Sequence, residues 1–379
     1  KGHQFFYCSN PNSTKAMKIL PIHEFAYHLN KSQREKMRHH YLLLLFCIIL
    51  GACESQNIFQ NTPLVHATTF QHEIQLTGKK KDITPIGTLG LQIIDTFIIS
   101  TQSNLPEYLG IYEKVSGRKI KDLLTIGRGP GEFLDCTFKG QYRKNKQNLE
   151  LYFSDCNKGY FYALNLTQTL RQDSLNITLL STIPYRSFPT FLTGNNYLSR
   201  AYFPEEQTIL YLLHDSTGQT IRQYPLYKDV DWIRYNQIGS ADEIKPDLSK
   251  IAMGMLLFNQ INIVDLKGNQ HFSVTTSDKS TYLSTQYLDE HEPIVYYSDL
   301  TCTDQYIYAL YVNQKISDWQ RITHPTEIHV FDWEGKAVYK LKTQETLLSI
   351  DIDETDHKIY GLATEEQIFT YDLPELLLP

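Results

Sequence analysis

The chain has 379 residues with 36 Lys/Arg against 42 Asp/Glu, a net charge of -6, and 41% hydrophobic content. That is enough chain for one large domain or two smaller ones. Its acidic balance disfavours a nucleic-acid backbone or an anionic bilayer as the partner of the bulk protein.

The first legible element is "MRHHYLLLLFCIILGAC", residues 37–53. Lys36 and Arg38 give a positive front, Leu42–Leu50 is apolar without a charge, and Leu50-Gly51-Ala52 supplies small residues before Cys53. That order reads as a secretory signal, and the run is too short to span a bilayer. "LGAC" resembles the bacterial lipobox, which implies cleavage before Cys53 and lipidation of its thiol. A signal stands at a true N-terminus, so residues 1–36 read as an upstream, non-native segment. Residues 37–52 are then the signal peptide, 53–69 a flexible tether and 70–379 the folded domain. Removing residues 1–52 leaves 29 basic and 40 acidic residues, a net charge of -11. Contact with the membrane is expected through the N-terminal lipid alone.

Beyond residue 70 the chain is β-rich, with 26 Tyr and 18 Phe. Short apolar or alternating runs such as "LQIIDTFIIS", "LELYFSD" and "TILYLLHD" stop at Gly, Asn or Asp. They recur as strand–turn–strand units, with "DSTG", "DLKG" and "DWEG" placing Asp and Gly where hairpin turns need them. Six units fit between Leu89 and Leu373, a spacing that suits four-stranded propeller blades. The last unit supplies three strands, so Phe70–Leu76 is expected to return as its fourth and seal the ring. The expected fold is all-β, a six-bladed β-propeller closed by an N-terminal strand. "SADEIKPDLSKIAMGMLL" is read as holding a short helix.

"TIGRGPGEF", residues 125–133, has the glycines of a phosphate loop without its other parts. Pro130 removes an amide donor, Glu132 repels phosphate, and no helix follows. It reads as a tight link between the first two blades with Phe133 turned inward. Arg128 and Glu132 are held as paired with each other or a neighbouring blade, with Arg128 facing an anionic ligand as the functional alternative. Cys136 and Cys156 lie symmetrically about Lys146; a hairpin there would bring them within disulfide reach, and a bulge would leave them as free buried thiols. Asp155, at a strand end, reads as a turn cap or a ligand group. Arg186 and Asp299 fall near the starts of proposed inner strands, which line a propeller's channel, and either is a candidate ligand contact there.

The lipobox, "IGRGPGEF" and "YFSDCNKGYFYALN" together resemble the TolB-like six-bladed propeller lipoproteins of Bacteroidetes, relatives of the NHL-repeat propellers. The resemblance implies a lipid-anchored protein of the cell envelope at the outer membrane, on its periplasmic or its surface face, and implies no set activity. With no catalytic motif in the sequence, the reading is a non-enzymatic module that binds an envelope protein, peptide or glycan. No catalytic residue and no cofactor is assigned. The alternative is a metal-dependent lyase or lactonase with an unidentified ion in the channel, drawing on histidines such as His214, His271, His324 and His329 from different blades.

Overall fold

The computed structural model describes residues 59, 62–83, 85–183, 189–192, 196–227, 238–267, 271–277, 292–321 and 324–377. The signal, Cys53 and Arg186 lie outside them. The described residues fall within one compact unit, Gln56–Pro379. Among them no helix is long and apolar enough to cross a membrane.

Six sheets, each built on an antiparallel meander, follow one another along the chain as blades 1 to 6. Blade 1 comprises Thr88–Ile94, Phe97–Gln102, Glu107–Glu113 and Lys119–Thr125. Blade 2 comprises Cys136–Asn145, Asn148–Asp155, Tyr160–Asn165 and Ile177–Thr182. The inner strands of blades 3 to 6 are Thr190–Phe191, Ser240–Ile244, Ile294–Cys302 and Leu347–Asp353. Each blade is buried on both faces, so its central strands read as nearly continuous apolar runs. The core is accordingly divided into six apolar clusters, one at each junction between neighbouring blades. The fold is the six-bladed propeller expected from the repeats.

The turns behave as their residues dictate. Asp215 Oδ1 accepts from the amides of Thr217 (2.9 Å) and Gln219 (3.0 Å), and Gly218 takes a φ of +86°. Asp332 Oδ1 repeats this with Glu334 (3.1 Å) and Lys336 (2.8 Å), beside Gly335 at +85°. Only glycine adopts such angles without steric cost.

Two expectations need correction. The segment "SADEIKPDLSKIAMGMLL" is not helical: Ser240–Ile244 and Lys250–Met255 are paired antiparallel strands of blade 4. A short helix stands instead at Leu166–Gln172, capped by Asn165, whose Oδ1 accepts from Gln168 N at 3.0 Å. Ring closure by an N-terminal strand holds, but the strand is Lys79–Lys80, antiparallel to Ile368–Asp372. His72–Gln75, inside the segment assigned to that task, pairs parallel with Ala337–Lys342 of blade 5 as a fifth strand. Leu64–His66 likewise adds a fifth, parallel strand to His271–Thr275 of blade 4.

The N-terminal segment is thus a strap around half the rim. Between its pairings it drops an apolar side chain into each junction it passes. Phe59 enters the blade 3–4 cluster, Phe70 packs on the 4–5 cluster, Leu76 enters the 5–6 cluster and Ile83 the 6–1 cluster. Residues 59–69, expected to be tether, therefore include seated parts of the fold.

Candidate functional site

The C-terminal ends of the inner strands converge on a cavity of about 570 Å³, to which all six blades contribute: Gln92, Lys139, Phe191, Glu243, Thr301 and Asp351 each come from a different one. This is the mouth of the central channel. On blade 2 the register slips between Phe138 and Tyr142, and Gly140 sits at a φ of +72° within the bulge. Bulges of this kind re-aim neighbouring side chains; here Lys139 and Tyr142 line the cavity. The positive φ of the bulge favours glycine at 140, and a Cβ there would meet Gln92 Oε1 at 2.1 Å and push that side chain aside.

Several channel groups hold one blade to the next. Asp299 of blade 5 accepts from Ile350 N of blade 6 at 2.8 Å and from Leu300 N at 3.0 Å. Asp351 of blade 6 accepts from Ile93 N of blade 1 at 2.5 Å, from Thr301 Oγ1 at 2.8 Å and from Ile352 N at 2.8 Å. Gln141 of blade 2 grips Phe191 of blade 3, its Nε2 donating to the carbonyl at 3.1 Å and its Oε1 accepting from the amide at 2.5 Å. Backbone amides that would otherwise be buried without partners are satisfied by these side chains.

Burial raises the pKa of the channel acids. Asp351 is pushed up to about 7, chiefly by burial and partly by Asp299, with its hydrogen bonds opposing. Asp299 is pushed up to about 6 by burial, again against its amide donors. Glu243 is held well above the usual carboxylate range by burial and by the charges of Asp299 and Asp351, while Lys139 pulls the other way. Near neutral pH Asp351 is protonated in part, whereas Asp299 is mostly ionised and accepts from its amide donors. With Asp299 and Asp351 committed to the fold, Glu243, Lys139 and the half-exposed Tyr142 are among the polar groups the cavity offers a ligand, together with Gln92 and Glu354. Donors and acceptors of both signs beside a phenol suit a hydroxyl-rich or zwitterionic molecule.

The other residues singled out from sequence lie apart from this mouth. Arg128 is exposed in the link from blade 1 to blade 2. Glu132 does not pair with it; its Oε2 accepts from Gly129 N at 2.6 Å, closing the loop on itself. A Cβ at Gly127 would strike that carboxylate at 2.0 Å. Phe133 turns inward as expected, edge-on to Phe153 at 5.3 Å. Asp155 is fully buried; it accepts from Leu134 N at 2.8 Å and Lys158 N at 3.0 Å, joining the turn to the link.

Cys136 and Cys156 are free buried thiols and not a disulfide. The bulge places Asp155, not Cys156, opposite Cys136, and Cys156 Sγ lies 3.2 Å from Ser154 Oγ. The histidines are not gathered either. His214 Nε2 sits 2.8 Å from Ser199 Oγ within blade 3, His329 Nε2 sits 3.1 Å from Glu327 Oε2 in blade 5, and His324 is partly exposed with Nδ1 3.0 Å from the Pro325 carbonyl. Among the described residues no three His, Cys, Asp or Glu side chains are grouped to hold a metal ion.

Glu243, Asp351, Lys139 and Tyr142 were not read from the sequence as site residues. Asp351 stood in a strand already recognised, "LLSIDID", where an acid in a doubly buried run is a signal. Glu243 had no such signal, since its segment read as a helix.

No protein-family model matches the chain, and no curated protein does. Among solved structures, a member of the DUF4221 family from Bacteroides vulgatus is similar over 80% of this chain and 98% of its own, at 9% identity and a TM-score of 0.50. A candidate exported protein of Bacteroides fragilis matches over 82% and 98%, at 13% identity and a TM-score of 0.48. At such identities the likeness concerns the fold alone.

Proposed function

We propose that this protein is a lipid-anchored cell-envelope propeller of the TolB-like kind, a binding module that captures a peptide or glycan at its channel mouth. The anchor is Cys53, on the strength of the apolar run and small residues before it. The observation that carries the binding reading is the single cavity built from six inner strands. Its structural acids are satisfied by the fold, while Glu243, Lys139 and Tyr142 remain to meet a ligand.

The reading is tested with peptide and glycan arrays, followed by calorimetry on the hits. The double variant Lys139→Ala/Tyr142→Ala should keep its circular dichroism and lose at least about tenfold in affinity, the value of one good polar contact. Hits bound equally by the variant would place binding elsewhere. The enzymatic alternative draws on Asp351, whose pKa is pushed up to about 7, near where a general acid works, and on Glu243, which burial holds above the usual carboxylate range. Metal analysis of the purified protein separates the two, since a stoichiometric ion would favour a lyase or lactonase.

A further inference from the structure

The strap fixes where a lipid on Cys53 can reach. Phe59 is 1% exposed, edge-on to Tyr227 of blade 3 at 5.7 Å and to His271 of blade 4 at 6.5 Å. The chain is therefore seated at the blade 3–4 rim before it runs on past blades 4, 5 and 6. Six peptide units separate Cys53 from Phe59, a span of about 21 Å at most. A tether free as far as residue 69 would reach about 55 Å and would impose no orientation.

The surface at that rim suits lipid. Ile221 is 54% exposed on the outer strand of blade 3. Beside it the exposed Arg222 donates from Nη1 to the carbonyl of Leu266 in blade 4 at 3.1 Å, and Lys267 follows, exposed. An apolar side chain flanked by cations fits the headgroup boundary of an anionic bilayer. The rim also carries acids: Asp215 and Asp265 cap turns, Asp215 accepting from Thr217 N and Gln219 N and Asp265 from Lys267 N at 2.8 Å, and Asp247 is exposed near Lys267. The hydrogen bonds of Asp215 and Asp247 hold them ionised, so the rim is mixed in charge and the short tether, more than charge, sets the posture. In a six-membered ring the 6–1 junction lies directly across from the 3–4 junction.

Resting on the lipidation of Cys53 proposed above, we infer that the propeller stands edge-on to the membrane. The rim of blades 3 and 4 lies against the lipid headgroups, blades 6 and 1 point away, and the channel axis runs parallel to the bilayer. Both channel openings then face sideways into water, and a ligand reaches the mouth without crossing the membrane surface.

The test is energy transfer from a fluorophore on the full lipidated chain to rhodamine headgroups in phosphatidylethanolamine–phosphatidylglycerol vesicles. The donor is placed at Gln223→Cys on blade 3 or at Glu365→Cys on blade 6, in a Cys302→Ser background. Transfer severalfold stronger from position 223 supports the edge-on posture, as does loss of that difference when a Gly/Ser spacer of about 20 residues is inserted before Phe59. Equal transfer from both positions overturns it, provided mass spectrometry finds the acyl chains on Cys53. An unmodified Cys53 overturns the anchor itself, and the inference with it.

Discussion

Replacing Phe59 with Ala tests whether the strap is held by its plugs. The ring is fully enclosed in the blade 3–4 cluster, between Tyr227 and His271. Truncating a buried Phe to Ala costs about 3–5 kcal/mol where the site cannot collapse. The loss here is limited because Phe59 lies near the start of the strap, which can lift locally rather than leave a cavity, so about 3 kcal/mol is expected. At about 2 °C per kcal/mol for a large domain, Tm should fall by about 6 °C. Hydrogen exchange should show where the loss lies. The amides of Ser273 and Ala67, bonded to Pro63 O and Thr275 O at 2.8 Å each, should lose protection, while blade 1 keeps its own. Phe70→Ala, partly buried against His329 at 4.7 Å and Phe331 at 5.7 Å, should cost less. A Phe59→Ala protein that melts within a degree of its parent, with unchanged exchange at Ala67, would refute the plug.

Two further outcomes follow from the channel and the closing junction. Lys114, buried where blade 1 meets blade 6, pairs with Asp353 at 2.6 Å and Asp356 at 2.9 Å. Lys114→Met leaves the buried Asp353 charge unpaired and should cost about 3–5 kcal/mol in urea unfolding. Lys79→Ala, which removes an exposed pair with Asp372, should cost under about 1 kcal/mol, and equal losses would contradict this ordering. Asp351 and Asp299 have folded-state pKa values raised to about 7 and about 6, so the folded protein binds more protons than the unfolded chain between about pH 4 and 7. Stability should therefore fall as pH rises through that window, by about 2 kcal/mol from Asp351 between pH 5.5 and 7. A Tm that climbs steadily from pH 5.5 to 8 would show that the two acids are not buried as described.

The blades were legible because the residues that form them act locally. Asp and Gly at 215–218 and 332–335 set their own turns, and runs such as "LQIIDTFIIS" carry the signature of strands covered on both faces. The strap was legible only in part. Leu64–His66 and Lys79–Lys80 are too short to show alternation, and what makes them strands is a partner edge about 200 to 290 residues away in sequence. The cysteines failed first at the turn, which is centred between Lys146 and Gln147 and not on Lys146, and both they and the site are altered by the bulge around Gly140. The turn pairs Asn145 with Asn148, a register that would already set Cys136 opposite Asn157; the bulge slips it to Asp155 and aims Lys139 and Tyr142 at the channel, and a lone glycine in a strand does not announce in which direction the register will slip. Asp299 was expected near the start of an inner strand and stands in the latter half of Ile294–Cys302, where its engagement with Ile350 N depends on the blade that follows.

Lys79 and Lys80 find their seat only against Phe369 and Thr370. At synthesis rates of about 5–20 residues per second, the ribosome needs about 15–60 s to make the intervening chain. Until then the first-made residues have no place to dock, and a polypeptide missing its final blade cannot shut. Completion is deferred to the last moments of biogenesis.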